Sequence, residues 1–270
     1  MYTHTCRYHD SSQLFHGAMT EIMGTRFDIV LPTKEKRLAE QMWTDIVLLL
    51  NGLDEMLNRF NPQSELSKIN AEAYQKSVTV TSEMLHILQL CAEYHRKTYG
   101  YFDVSLHDFS TVHIDENAKT VCFSKKISLD LGGFAKGYAV KHICQMVSDN
   151  GFSDAFVDFG NSSITALGRH PHGDCWKVSV GNPFDNGKVL DEFELRNMSM
   201  STSGNTPSYG KHIVHPLSGE YIEDKKLICV VAPNALDTEI LTTALMVAPD
   251  SEKEKITRNF TVEKTTEYDL

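Results

Sequence analysis

The chain has 270 residues, 41% hydrophobic and 23% charged, the balance of a globular protein with enough apolar mass for a sizeable core. Disordered and fibrous classes are excluded, no internal period repeats, and no run approaches the roughly 18 apolar residues of a membrane span. With 26 Lys and Arg against 36 Asp and Glu, the net charge of −10 disfavours non-specific attraction to nucleic acid or anionic lipid. The six cysteines, Cys6, Cys91, Cys122, Cys144, Cys175 and Cys229, form no CxxC pair, which argues against a zinc ribbon or a dense disulfide framework. Residues 1–20 lack an apolar h-region and read as an N-terminal extension, so a cytoplasmic location is expected, or a periplasmic or membrane-anchored one if a signal has been removed.

In chain order, Ile22 to Leu31 reads as a strand, and Pro32 breaks it before a helical pattern from about Lys34 to Phe60. A short strand is expected at Val78 to Thr81. A helix follows over Ser82 to Lys97, where Met84, Leu85, Leu88, Cys91 and Ala92 share one face and Gly100 stops the run. Thr111 to Ser124 reads as a hairpin around Asp115 to Lys119. Further strands are predicted at Ile127 to Leu131 and Ala155 to Phe159, with a helix over Gly133 to Asp149 between them. Ser163 to Asn205 reads as antiparallel strands with turns at His170 to Asp174 and Asn182 to Gly187. Leu227 to Ala232 is a buried strand, Leu236 to Val247 a helix and Thr257 to Val262 a closing strand. No linker interrupts this order, so the expectation is a single compact, two-lobed α+β unit over residues 21–266 with a strand-rich second half.

Three segments carry candidate chemistry. In Ile127 to Val140, ISLDLGGFAKGYAV, a β-prone run enters the Gly132-Gly133 turn and a helix opens at once. Glycines there let an anion approach backbone N–H groups at a positive helix end, and Lys136 is placed to sit beside a phosphate. The plainer alternative is a tight connection with Lys136 solvated; neither GxxxxGK[ST] nor GxGxxG is present. In Asp237 to Ala244, DTEILTTA, Glu239 and Thr243 are four apart and share a helix face, a carboxylate and a hydroxyl suited to Mg²⁺; the alternative is an Asp237 N-cap with Glu239 complementing the helix dipole. In Ser201 to Gly219, His212 and His215 lie in a β-prone stretch, on opposite faces by their odd spacing, and a neutral imidazole there is suited to take a proton from a hydroxyl. The other ten histidines read as surface or core residues.

These segments resemble the FAD:protein FMN transferase family, also called ApbE. The likeness runs in order over about residues 20 to 265 through MGTRF (Met23 to Phe27), SELSKIN (Ser64 to Asn70), GYFD (Gly100 to Asp103), DLGGFAKGYAV (Asp130 to Val140), VDFGNSSITALG (Val157 to Gly168), WKVSVGNP (Trp176 to Pro183), STSG (Ser201 to Gly204), HIVHPLSG (His212 to Gly219) and TEILTTAL (Thr238 to Leu245). The resemblance implies an ApbE-like (T-fold-like) α+β fold and a reaction in which FAD is split at its pyrophosphate with the help of Mg²⁺. FMN passes to a Thr or Ser hydroxyl of an acceptor flavoprotein, and AMP leaves. It further implies Mg²⁺ ligation by the Gly133 carbonyl, Glu239 and Thr243, with His212 as base or transient nucleophile alongside Lys136. Met23, Ser64, Asn70, Asp103, Gly132, Gly133, Lys136, Gly160 and Ser203 would form the FAD pocket. Three positions depart from the family pattern: Glu239 stands where Asp is usual, Asn161 replaces the second glycine after the middle strand, and His215 replaces the Asp of the HxxDP segment. An FAD pyrophosphatase releasing FMN and AMP, and a non-catalytic FAD binder, are the alternatives.

Overall fold

A computed structural model describes residues 2–270 apart from Asn186, Ser208, Tyr209, Lys211 and His212. Its frame is an eight-stranded sheet. The chain enters through β1 (His4–His9) and β2 (Leu14–Ile22), turns at Met23 and Gly24, and returns along β3 (Thr25–Pro32). Pro32 ends that strand, and α1 (Lys36–Leu57) crosses the sheet with Ala39, Met42, Trp43, Ile46, Leu50 and Leu53 turned inward, the spacing of one buried helix face. Residues before position 21 are therefore hydrogen-bonded into the main sheet, β1 pairing with β2 and β2 with β3.

The helix α2 (Glu65–Glu72) follows, then β4 (Val78–Thr79), α3 (Ser82–Lys97) and the hairpin β5 (Val112–Asp115) and β6 (Thr120–Phe123). The strands β4, β6 and β5 form a small separate sheet. The predicted hairpin and the predicted helix over Ser82–Lys97 are found as expected; α2 was not foreseen. It begins at Ser64, whose Oγ accepts the Ser67 N–H at 3.0 Å, a cap satisfying one of the orphan donors of the first turn.

The second half supplies α4 (Ala135–Asp149), β7 (Ala155–Phe159), β8 (Ser163–Leu167), β9 (Trp176–Gly181), β10 (Val189–Leu195), β11 (Met198–Gly204), β12 (Lys226–Ala232), α5 (Ala235–Val247), α6 (Asp250–Thr257) and β13 (Lys264–Asp269). The large sheet has the order β1-β2-β3-β7-β8-β11-β12-β13, every pairing antiparallel. Helices α1, α4 and α5 cover one face over the larger core. The β9–β10 hairpin covers part of the other, where Ile164, Ala166, Trp176, Val178, Val180, Phe193 and Met200 make a second core. The result is the expected α+β architecture, with apolar side chains of the sheet buried on both faces.

Two predicted strands are corrected. Ile127–Leu131 joins no sheet: Asn70 and Val104 take its backbone groups instead, Asn70 donating to the Leu129 carbonyl at 3.0 Å and accepting its N–H at 2.7 Å, and the Asp130 N–H donating to the Val104 carbonyl at 2.7 Å. Thr257–Val262 is not the closing strand, since Pro249 caps α6 and Asp250 and Glu252 favour its first turn; the closing strand is β13, paired with β12.

Candidate active site

The glycine turn and the two helices α4 and α5 build one corner of a large cavity. Asp130 Oδ1 accepts the Gly132 N–H at 2.9 Å, and Asp130 Oδ2 pairs with Arg59 at 3.1 Å. This fixes the turn that feeds α4, which opens at Ala135 rather than Gly133; Phe134 at its N-cap offers no side-chain acceptor. A Cβ on Gly133 would lie 3.4 Å from Thr243 Oγ1 and 3.7 Å from the Phe102 ring, so the turn packs against α5 at van der Waals contact. One turn further, a Cβ on Gly137 would come within 2.7 Å of Glu239 Cβ and 3.0 Å of the Ala235 carbonyl, so glycine is what lets α4 and α5 approach closely there.

Glu239 sits at this crossing, 5% exposed. Its Oε1 accepts from Lys136 Nζ at 2.6 Å, and its Oε2 accepts from Ser201 Oγ at 3.1 Å and from Ser163 Oγ. The two serines are directly opposed on β11 and β8, and Thr242 Oγ1 donates to Ser201 Oγ at 3.3 Å. Thr243 Oγ1, half-buried, donates to the Glu239 carbonyl at 3.0 Å. The N-cap of α5 is Asn234, whose Oδ1 accepts the Leu236 N–H at 2.9 Å. Asp237, the expected cap, instead accepts the Tyr94 hydroxyl at 2.6 Å.

The cavity encloses ≈ 1790 Å³, beyond the roughly 300–1,000 Å³ of ordinary small-molecule pockets and so roomy enough for a dinucleotide. Met23, Asp103, Gly132, Gly133, Lys136, Gly160, Ser203, Glu239 and Thr243 all line it. Ser64 and Asn70 do not: Ser64 caps α2, and Asn70, on α2, clamps Leu129 from behind the wall. Asp103 reaches the wall but spends its carboxylate inward, accepting Ser105 N–H at 2.7 Å, Ser105 Oγ at 2.6 Å and Phe109 N–H at 2.9 Å. His95 Nδ1 stands 3.3 Å from its Oδ2, close enough for attraction though without a well-directed hydrogen bond. Burial raises the pKa of Asp103, but His95 and the Ser105 and Phe109 donors outweigh it and hold the group below the ordinary aspartate value.

Gly160 has φ +68, and a Cβ there would strike Thr25 Oγ1 at 2.6 Å, so this glycine is required. Asn161 follows with φ +56, a left-handed conformation that asparagine tolerates, and its N–H donates to Asp158 Oδ1 at 2.8 Å. His212 lies outside the described residues. His215 falls in a turn, where its N–H donates to the Glu220 carbonyl at 2.8 Å and its ring packs edge-on against Tyr101 at 6.3 Å.

The structure adds residues that sequence reasoning missed. Arg59 and Phe60 stand at the cavity wall, the guanidinium 4.8 Å from the ring centroid and Phe60 82% exposed. An aromatic in the polar loop NRFNPQS was the available signal. Ser163 and Ser201 fell within the predicted run of antiparallel strands without a role; that role depends on the register that sets them under Glu239.

Among the described residues no three His, Cys, Asp or Glu side chains converge as a metal cluster. What the corner offers is one carboxylate with hydroxyl and carbonyl oxygens, a hard donor set that fits Mg²⁺, an ion that keeps waters and takes substrate phosphates as ligands.

Known proteins match this chain along most of its length. The ApbE family model matches residues 23–113 and 105–265. A FAD:protein FMN transferase from Klebsiella pneumoniae is 22% identical, over 87% of this chain and 79% of the relative. One from Chlamydia pneumoniae is 26% identical, over 80% and 78%. The flavinyl transferase ApbE of Pseudomonas stutzeri superposes with a TM-score of 0.76 at 22% identity, covering 99% of this chain and 95% of its own. An ApbE protein from Thermotoga maritima superposes at 0.79 with 18% identity, covering 96% and 91%.

Proposed function

The chain belongs to the ApbE family, and we propose that it is a transferase which splits FAD at the pyrophosphate and passes FMN to a Thr or Ser hydroxyl of an acceptor flavoprotein, releasing AMP, with Mg²⁺ as the metal. Its relatives carry the name FAD:protein FMN transferase. The observation that carries the reading is the meeting of Lys136, Glu239, Thr243 and the Gly132-Gly133 turn on one wall of a dinucleotide-sized cavity. Splitting a pyrophosphate calls for charge neutralisation and positioning more than for covalent help from the protein.

In this reading the acceptor oxygen forms a bond to the FMN phosphorus while the P–O bond to the AMP phosphate breaks, and the hydroxyl proton leaves to a base. Lys136 binds phosphate oxygens beside the N-terminal end of α4, where the helix dipole also favours negative charge. Glu239, Thr243 and the Gly133 carbonyl would hold Mg²⁺, which when bound supplies charge neutralisation at the pyrophosphate. Ser163 and Ser201 orient the Glu239 carboxylate by hydrogen bonding to its inner oxygen. His212 is assigned the proton from the acceptor hydroxyl, or a transient bond to phosphorus. Met23, Asp103, Gly160 and Ser203 line the remaining FAD pocket, while Ser64 and Asn70 support its wall.

The test is AMP release from FAD. It should require Mg²⁺, stop on chelation and return when Mg²⁺ is restored. AMP release that is indifferent to chelation would remove the metal from the proposal, and the absence of AMP under all conditions would leave a protein that only binds flavin.

A further inference from the structure

The Lys136–Glu239 pair occupies the position that a metal would need. Both Glu239 oxygens are engaged: Oε2 by Ser163 and Ser201, and Oε1 by Lys136 Nζ at 2.6 Å. The serines are cross-strand partners in the middle of the sheet and are fixed by its hydrogen bonds. Lys136 is the donor able to move, since its charge sits on a flexible four-carbon stem and its side chain is 20% exposed toward the cavity.

We propose that Lys136 is the resident counter-ion of Glu239 in the substrate-free protein and is handed from Glu239 to the FAD pyrophosphate when the metal enters, so that metal and FAD are admitted interdependently. The inference rests on reading Glu239 as a metal ligand and the cavity as the pyrophosphate site. Its physical basis is the cost of an unpaired buried charge. On a residue only 5% exposed, an ionised carboxylate is costly to leave without a cation, and Lys136 supplies one while the metal is absent. An ammonium and a divalent cation repel each other on the same carboxylate oxygen, so a metal ligated by Oε1 displaces Nζ. The released ammonium then needs an anion, and the phosphates beside it provide one. Equally, phosphate drawing Lys136 away leaves Glu239 seeking a cation. Such linkage is reciprocal: whatever factor FAD contributes to metal affinity, the metal contributes to FAD affinity.

The test reads binding, not turnover. Calorimetry with Mg²⁺ alone, without FAD, should show Lys136→Met binding the metal about tenfold or more tighter than wild type, with Lys136→Arg, which keeps the resident charge, close to wild type. In the complementary arm, flavin fluorescence with chelator present should show Glu239→Gln binding metal-free FAD about fivefold tighter than wild type, because Lys136 is freed for phosphate. A pair that merely holds α4 to α5 would make each variant bind its ligand no better or worse. That result overturns the proposal, as does Lys136→Met binding Mg²⁺ like wild type while Glu239→Gln abolishes metal binding. If Glu239→Gln binds Mg²⁺ as wild type does, Glu239 is not a ligand, and the underlying functional reading fails with it. Should Lys136→Met not fold, the Glu239→Gln fluorescence arm decides alone.

Discussion

Glu239 is the residue on which most of the site's physics converges. Ser163 and Ser201 hydrogen-bond one oxygen of its carboxylate and Lys136 the other. Glu239→Ala should therefore abolish AMP release or raise its Mg²⁺ requirement sharply; a Mg²⁺ titration indistinguishable from wild type would show that the metal is held elsewhere. At the proposed base, His212→Ala should lower kcat by at least about 100-fold with little loss of FAD affinity. His215→Ala should be milder, since the His215 ring serves a turn, its Nδ1 accepting the Leu217 N–H at 3.2 Å. AMP release at saturating FAD and Mg²⁺, followed from mildly acidic to mildly basic pH, separates the two, and a larger loss from His215→Ala would mean that the base has moved along the chain. Glu239, Thr243, Lys136 and the paired glycines were legible because their spacing on helix and turn is local. Arg59, Phe60, Ser163 and Ser201 were not, because their roles come from contacts between residues remote in sequence. Ser64 and Asn70 carried a recognisable motif, yet in the fold they cap a helix and clamp a backbone rather than face the cavity.

Among the elements, the crossing of α4 and α5 sets the geometry of the corner. Gly137→Ala would push a methyl group against Glu239 Cβ and the Ala235 carbonyl; overpacking of this kind costs about 1–3 kcal/mol. The expected outcome is a lower melting temperature together with a raised Mg²⁺ requirement for AMP release, and a variant matching wild type in both would show that the helices have slack there. The loop from Asp103 to Phe109 makes a pH prediction. The pKa of Asp103 is lowered in the folded state, so its ionised form stabilises the fold: the contribution is complete above the ordinary aspartate pKa of about 3.9 and is lost as pH falls toward the folded value. Asp103→Asn should therefore lower thermal stability at neutral pH and flatten its decline below about pH 4. An unchanged acid limb would mean that another carboxylate governs it. The long helices and the β5–β6 hairpin were readable from apolar periodicity and turn residues. Ile127–Leu131 misled because an apolar, β-prone run also suits an extended segment whose backbone partners are the Asn70 side chain and the Val104 carbonyl rather than a neighbouring strand. The end of the chain misled because the proline cap and acidic first turn of α6 were outweighed by a short β-prone stretch.

Across the whole molecule, an eight-stranded antiparallel sheet carries α1, α4 and α5 on one face and the β9–β10 hairpin on the other, and the cavity draws residues from both sides. Phe156, Asp158 and Val178 line it on the hairpin side, Lys136, Glu239 and Thr243 on the helix side. The α+β class and the strand-rich second half followed from the alternation of apolar residues. Strand order and the placement of β1 and β2 on the sheet did not, since pairing between distant segments leaves no local signature. None of the described helices is long and apolar enough to cross a membrane. The proposed activity is tested most directly by incubating the protein with FAD, Mg²⁺ and a flavoprotein acceptor bearing a Thr or Ser target, then weighing the acceptor and quantifying AMP. Transfer predicts that the acceptor gains the mass of one FMN, less water, on a peptide containing that hydroxyl, with one AMP released for each acceptor modified. Free FMN and AMP with an unmodified acceptor, or no AMP at all, would contradict it.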